Sequence, residues 1–352
     1  MLYATTRDPR EAFTPQRVLS QKRGPDGGLF LPYRLPHLSD QDLQRLGQER
    51  FNNCTAEILN LLFGSRVSGY DIDLIVGRQP VRLRKMGQKI LMAECWHNTD
   101  WRFSRLVEDL AGLVRRDAEQ PLCIDGWAKT GVRIAVLFGI FAELIRHGAV
   151  SREGTVDISV VSGDFSAPMA VWYARHMGLP IGNIVCCCND NSSLWNFICH
   201  GQLRTDGIAV KTVVPEADIA VPEGLERLIA ETGGPGAVEQ YVQALHRGET
   251  YYVDDAFLKI LRQGIYVTVS SEKRILNTIP SVFATHGYIL GPGAALAYAG
   301  LQDFRSRREQ TRTALLLADN GPACDPEVTA DAMGITMEEL KQYLKTFRVF
   351  HK

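Results

Sequence analysis

The sequence has no charge excess, no long apolar run, no paired-cysteine motif and no internal repeat, and each absence removes a class of function. Lys and Arg number 39 against 40 Asp and Glu, a formal net charge of −1 with histidine neutral. Nucleic-acid binders carry a basic excess, so nucleic acid is not an expected partner. The longest apolar run, Ile134 to Leu144, contains Glu143 and is too short to span a bilayer. The opening MLYATTRDPR has no apolar signal core. The expectation is a soluble, cytoplasmic protein that does not meet a membrane. Of eight cysteines none stands in C-x-x-C spacing, and Cys54, Cys95, Cys123, Cys199 and Cys324 are scattered. Reduced structural thiols and no metal site are expected.

What is present is an alternation of strands and helices in 352 residues, long enough for a large core and two domains. Val156 to Val161 is a β-branched apolar run, the pattern of a strand buried on both faces. The turn Ser162-Gly163-Asp164-Phe165-Ser166 follows, then a helical stripe from Ala167 to Met177 that Gly178-Leu179-Pro180 stops. Ile184 to Cys188 is the next buried strand, and successive side chains of Cys186, Cys187 and Cys188 face opposite ways. Such a βαβ unit leaves backbone N–H groups free at its helix start, where an anion can sit. Asp164 either caps that helix or lies beside such an anion and repels it.

Other local signals frame this unit. Thr14-Pro15 starts a helix, Ser39 caps one through about Leu46, and Thr55 caps one through Phe63. Ile90 to Glu94 reads as a strand, Trp101 to Arg116 and Val132 to His147 as helices, and Thr336-Met337-Glu338-Glu339 as a capping box. Asn191-Ser192 reads as a further cap. The cationic stretch Gly77 to Lys89, with Arg78, Arg82, Arg84, Lys85 and Lys89, is either a solvated hairpin face or a loop that receives a phosphorylated metabolite.

Several of these stretches together resemble threonine synthase, a pyridoxal-phosphate enzyme of fold type II. That family writes its phosphate turn P-T-G-N-F-G, then a helix ending M-G-L-P-I, a strand, N-x-N-D and a helix closing on T-G. The matching residues are Gly163, Phe165, Met177 to Ile181, Asn189, Asn191, Leu194, Phe197 and Gly201. Tyr3-Ala4-Thr5-Thr6-Arg7 and Asp26-Gly27-Gly28-Leu29-Phe30-Leu31-Pro32 are similar to the family's Y-x-S-T-R and D-G-G-L-(Y/F)-x-P. Asp218-Ile219 and Glu226-Arg227-Leu228 resemble its M-D-I and F-E-R-L. The resemblance implies an α/β fold: a parallel-sheet large domain of the tryptophan synthase β-like kind, here 86–352, behind a helical N-terminal domain, here 1–85.

The departures from that pattern fall where the family's cofactor and substrate bind. Its L-E-L-F-H-G-P-T-L-A-F-K-D carries the lysine that holds pyridoxal phosphate as a Schiff base. Aligned on Glu94, His97 and Phe103, the lysine position is Ser104, and no lysine occurs between Lys89 and Lys129. A hydroxyl neither forms that bond nor moves the protons an amine moves. The family's small domain, beginning near A-T-S-G-D-T-G, has no counterpart. Pro121-Leu122-Cys123-Ile124-Asp125-Gly126-Trp127-Ala128-Lys129 resembles the N-S-I-N-W-A-R that follows it, which places the excision near 117–126. A rival reading takes Lys129-Thr130-Gly131 as a remnant of G-D-T-G. Tyr288 to Ala295 replaces D-P-H-T-A-V-G, and Asp319-Asn320-Gly321 interrupts the segment whose threonine meets the cofactor ring.

The functional expectation is a degenerate threonine-synthase-like protein, a non-catalytic binding or interaction module that takes no cofactor. Its site would consist of the altered phosphate-turn residues Gly163, Asp164, Phe165 and Ser166, with Lys129 and Arg227 as ligand candidates. Its partner would be a protein, a second copy covering the face left by the missing domain, or a small anionic metabolite. The alternative is an enzyme with a repurposed pocket for a small anionic or phosphorylated amino-acid metabolite, with Ser104 and His97 as a candidate pair and pyridoxal phosphate admitted. Threonine formation from O-phosphohomoserine is the remaining reading and needs a lysine at 104.

Overall fold

A computed structural model describes residues 1–77, 81–96, 101–115, 121–151, 154–308 and 312–350. The N-terminal segment pairs strands β1 (Tyr3–Thr5) and β2 (Phe30–Pro32) antiparallel around helix α1 (Pro15–Ser20). Thr14 caps α1 and Pro15 fills its first turn. Helices α2 (Asp40–Leu46), α3 (Phe51–Phe63) and α4 (Gly69–Val76) follow. Ser39 and Ser68 form capping boxes with Asp42 and Asp71. Thr55 is not a cap: it is buried within α3, which begins four residues earlier at Phe51 without a side-chain cap.

Strands β3 (Arg82–Lys85) and β4 (Ile90–Glu94) form an antiparallel hairpin, so the described part of the cationic stretch is a hairpin face. Arg84 Nε donates to Glu94 Oε1 at 2.9 Å, and Tyr288 Oη donates to the same oxygen at 2.9 Å. Helix α5 (Phe103–Val114) buries Phe103, Leu106, Val107, Leu110, Ala111 and Val114 along one stripe. A π-type turn, Ile124–Ala128, leads straight into α6 (Lys129–Arg146), which is buried over most of its circumference. The expected excision point falls partly on 116–120, outside the described residues.

The remainder alternates: β5 (Val156–Val161), α7 (Ser166–His176), β6 (Ile181–Cys188), α8 (Ser193–His200), β7 (Gln202–Leu203), α9 (Leu225–Arg247), β8 (Tyr251–Tyr252), α10 (Asp255–Leu261), β9 (Ile265–Val269), α11 (Glu272–His286), α12 (Pro292–Arg308), β10 (Thr313–Ala318), α13 (Pro326–Met333) and α14 (Met337–Phe350). The main sheet runs β3-β4-β10-β5-β6-β9, parallel except for the edge strand β3. β3 lies N-terminal to the boundary expected at residue 85 yet belongs to this sheet. β7 and β8 pair separately.

Helices cover both faces, which is why the strands read as unbroken apolar runs. One core gathers β1, α3, α6 and α7 around Tyr3, Leu59, Trp127, Phe138 and Tyr173, joining the N-terminal segment to the sheet. The opposite core packs α11, α12 and α14 on Val185, Leu316 and Ile279. Cys186 and Cys188 enter the first core and Cys187 the second, as strand alternation requires. None of the eight cysteines, all of them described, is in a disulfide, and burial pushes up the thiols of Cys54, Cys95, Cys186, Cys187 and Cys188. Among the described residues no helix is long and apolar enough to cross a membrane, and no His, Cys, Asp or Glu cluster suits a metal ion.

Candidate functional site

All parallel strands end at one edge of the sheet, and β10, last in sequence, lies between β4 and β5. Ligands of open α/β sheets bind outside such carboxyl ends, where the strand order reverses. The turn after β5 is built for close approach. Gly163 has φ +45°, and Phe165, fully buried, has φ +69° at the start of α7. Left-handed backbone costs a non-glycine residue about 1–2 kcal/mol, which the packing of the Phe165 ring offsets.

Asp164 occupies that turn with its own carboxylate. Oδ1 accepts from Ser166 N–H at 2.9 Å and Ser166 Oγ at 2.6 Å; Asp164 thus serves the first N–H of α7, although the N-cap position is Phe165 and carries no side-chain cap. Oδ2 takes Lys129 Nζ at 2.8 Å. Burial alone raises the Asp164 carboxyl, but the charge and hydrogen bond of Lys129, with the Ser166 donors, outweigh it and hold it at about 2. The carboxylate side chain is 37% exposed and the lysine 30%.

A second pair stands one helical turn along α6. Arg133 makes a two-pronged bond to Asp319 at 2.7 and 2.6 Å, and its guanidinium lies 3.8 Å from the Phe103 ring centroid. Here the arginine is only 2% exposed. Asp319 continues from β10, and its backbone oxygen also accepts the Phe103 N–H at 2.8 Å, fixing the start of α5. The neighbouring strands β5 and β10 are thus each followed by an aspartate, Asp164 and Asp319, and α6 supplies a cation to each.

Between them stands an acid that the sequence pattern does not single out. Glu216 accepts a hydrogen bond at Oε1 from Asn320 Nδ2 at 3.3 Å. Its carboxyl packs where a side chain at residue 293 would fall, so Gly293 is required there. Burial, with the charges of Asp325 and Asp319, raises this carboxyl above the ordinary carboxylate range. Trp96 and Trp101 stack nearby with centroids 6.2 Å apart, and Gly321 N–H donates to Trp101 O at 2.8 Å.

The structure brings Gly163, Asp164, Phe165, Ser166 and Lys129 together. Ser104 lies in the first turn of α5, exposed and off the buried stripe. His97 lies outside the described residues. Arg227 is buried: its Nε donates to Phe30 O at 2.8 Å and its guanidinium lies 5.6 Å from the Trp127 ring, tying α9 to the N-terminal strand pair. Asn191 does not cap α8. Its amide instead holds Val210 through both backbone groups and joins Asn189 at Asp218.

Residues 2–79 match the family model described as threonine synthase N terminus. Threonine synthase-like 1 of Pongo abelii is 31% identical over 176 residues, 49% of this chain and 23% of that protein. The threonine synthase of Pseudomonas aeruginosa is 26% identical over 181 residues, 51% of this chain and 37% of its own length. The matches thus span well under half of these relatives. In fold, the crystal structure of pyridoxal-phosphate-bound threonine synthase from Brucella melitensis matches with a TM-score of 0.84 at 18% identity, over 95% of this chain and 92% of that one. The yeast threonine synthase matches with a TM-score of 0.81 at 17% identity, over 98% and 94%. The expectation of no cofactor is corrected by this likeness. It rested on the side chain at 104, whereas the whole fold is that of a threonine synthase solved with pyridoxal phosphate bound. The chain is thus similar to threonine synthases in its N-terminal segment, and its architecture is the fold of solved threonine synthases.

Proposed function

We propose that this threonine-synthase-like chain has lost the lysine-dependent reaction and works as a non-catalytic binding module of a reducing, cytoplasmic setting. Its ligand is pyridoxal phosphate or a related phosphorylated metabolite, held by contacts alone. Pyridoxal phosphate asks two things of this fold, a cradle for its phosphate and an amine for its aldehyde. The cradle is supported by the Gly163–Ser166 turn, the start of α7 and the ammonium of Lys129. When bound, the group supplies an electron sink for chemistry at an amino acid's carbons. This chain's residues bind and orient at that site, while Ser104, the position that aligns with the family's lysine, carries a hydroxyl instead of the bond-forming amine.

The observation that carries the reading is Ser104 in the first turn of α5, together with the engagement of Lys129, the amine at the turn, by Asp164. Purified protein titrated with pyridoxal phosphate is expected to bind it saturably and to yield no adduct after borohydride reduction. A lysine of this chain carrying reduced pyridoxyl, located by peptide mass spectrometry, would falsify the proposal.

The second reading, a repurposed enzyme acting on a small anionic metabolite, is favoured by Glu216, an acid beside the turn whose carboxyl is pushed up by burial and hydrogen-bonded by Asn320. Glu216→Gln separates the two. Turnover of a phosphorylated amino acid that vanishes in this variant supports the enzyme, and ligand binding without turnover in both proteins supports the module.

A further inference from the structure

The Lys129–Asp164 and Arg133–Asp319 pairs share an arrangement but differ in mobility. Arg133 is 2% exposed, doubly bonded and stacked on Phe103, so that pair is a fixture of the fold. Lys129 and Asp164 are each about a third exposed and joined by one 2.8 Å bond. Lys129 starts α6 and Asp164 lies in a turn, so both side chains can rotate without moving a helix.

We propose that Asp164 is an internal competitor for the anion seat of this site and the residue that sets which anions the turn accepts, with Lys129 as the group competed for. This rests on the reading that an anionic ligand binds at the turn. The carboxylate holds three donors an incoming phosphate would use: Lys129 Nζ, Ser166 N–H and Ser166 Oγ. A phosphate monoester binds only by taking Lys129 from Asp164, and it then lies beside a displaced negative charge. The site therefore holds phosphate monoesters more weakly than its donors alone would, and Asp164 sets how strong an anion must be to take the seat. Neutralising Asp164 removes the competitor and the repulsion together. Asparagine keeps an oxygen for the Ser166 donors and releases the lysine.

The experiment is calorimetric titration of the full chain with pyridoxal phosphate and, as a bare probe, inorganic phosphate, for the wild type, Asp164→Asn and Asp164→Asn/Lys129→Met. Circular dichroism and melting curves establish that each is folded. Asp164→Asn is expected to bind both probes at least tenfold more tightly, and the double variant to lose that gain. Wild-type binding that Asp164→Asn leaves unchanged would overturn the proposal while the binding reading stands. A gain retained in the double variant would overturn it as well, because Lys129 would not be the group competed for. Folded protein that binds neither probe in any of the three forms removes the reading and the proposal together.

Discussion

At the scale of single residues, the strongest commitments are the charges that α6 sends to the strand ends. Removing one partner of a buried ion pair leaves the other unpaired in low dielectric. Asp319→Asn is therefore expected to cost about 3 kcal/mol or more in denaturant unfolding, with Arg133 stranded against Phe103. Asp164 leaves a pH signature instead. Its folded carboxyl titrates at about 2, below the ordinary 3.8, so its contribution is present above the ordinary value and is lost as pH falls toward 2. Asp164→Asn is expected to flatten that acid limb of the melting-temperature profile between about pH 4 and pH 2. Neither pair was legible in the sequence. The sequence reading puts Lys129 and Asp164 in one candidate site, as a ligand candidate and a turn residue or cap, but nothing local shows that positions so far apart form an ion pair. Arg133 and Asp319 sat in apolar or loop contexts with no motif, and Glu216 gains its meaning only from Gly293 and Asn320 folding around it.

At the scale of elements, local chemistry reads well where it is self-contained. Thr14-Pro15, Ser39 and Thr336 start their helices as their side chains dictate, and β5 spans the expected apolar run. Thr55 misleads because the α3 start at Arg50 has no side-chain cap, so a threonine inside the helix carries the stronger signal. Asn191 misleads because its amide serves a loop that folds back from residue 210. The contacts between elements are the illegible part, and α9 provides the case. Glu226, 2% exposed, receives Thr6 Oγ1, Arg7 Nε and Nη2, and lies 3.6 Å from Arg23. Glu226→Ala is expected to cost about 2–3 kcal/mol. Hydrogen exchange is expected to quicken at the Tyr3 and Thr6 amides, which bond Phe13 and Leu29, and not along β6.

At the scale of the molecule, the N-terminal segment shares a core with the sheet domain. Phe51, Ile58, Leu59 and Leu62 of α3 share one core with Ile134, Phe138 and Phe141 of α6. A chain beginning at residue 81 keeps the whole main sheet but bares that face of α6. It is expected to lose its near-ultraviolet dichroism and to bind a hydrophobic dye, as a collapsed and unspecific core does. A sharp cooperative melt of that fragment would contradict this. The fold class was legible through the resemblance to threonine synthase, with which strand runs buried on both faces and joined by helices agree. The place of the site followed from where those strands end.

The triplet Cys186-Cys187-Cys188 closes β6, between β5 and the edge strand β9, with one sulfur on one side of the sheet and two on the other. Shielded and held as neutral thiols, these groups are chemically silent while the protein is intact. They become nucleophiles together once the sheet parts. An alkylating reagent therefore acts as a clock for whole-chain opening, because rotation of a surface side chain cannot expose any of the three.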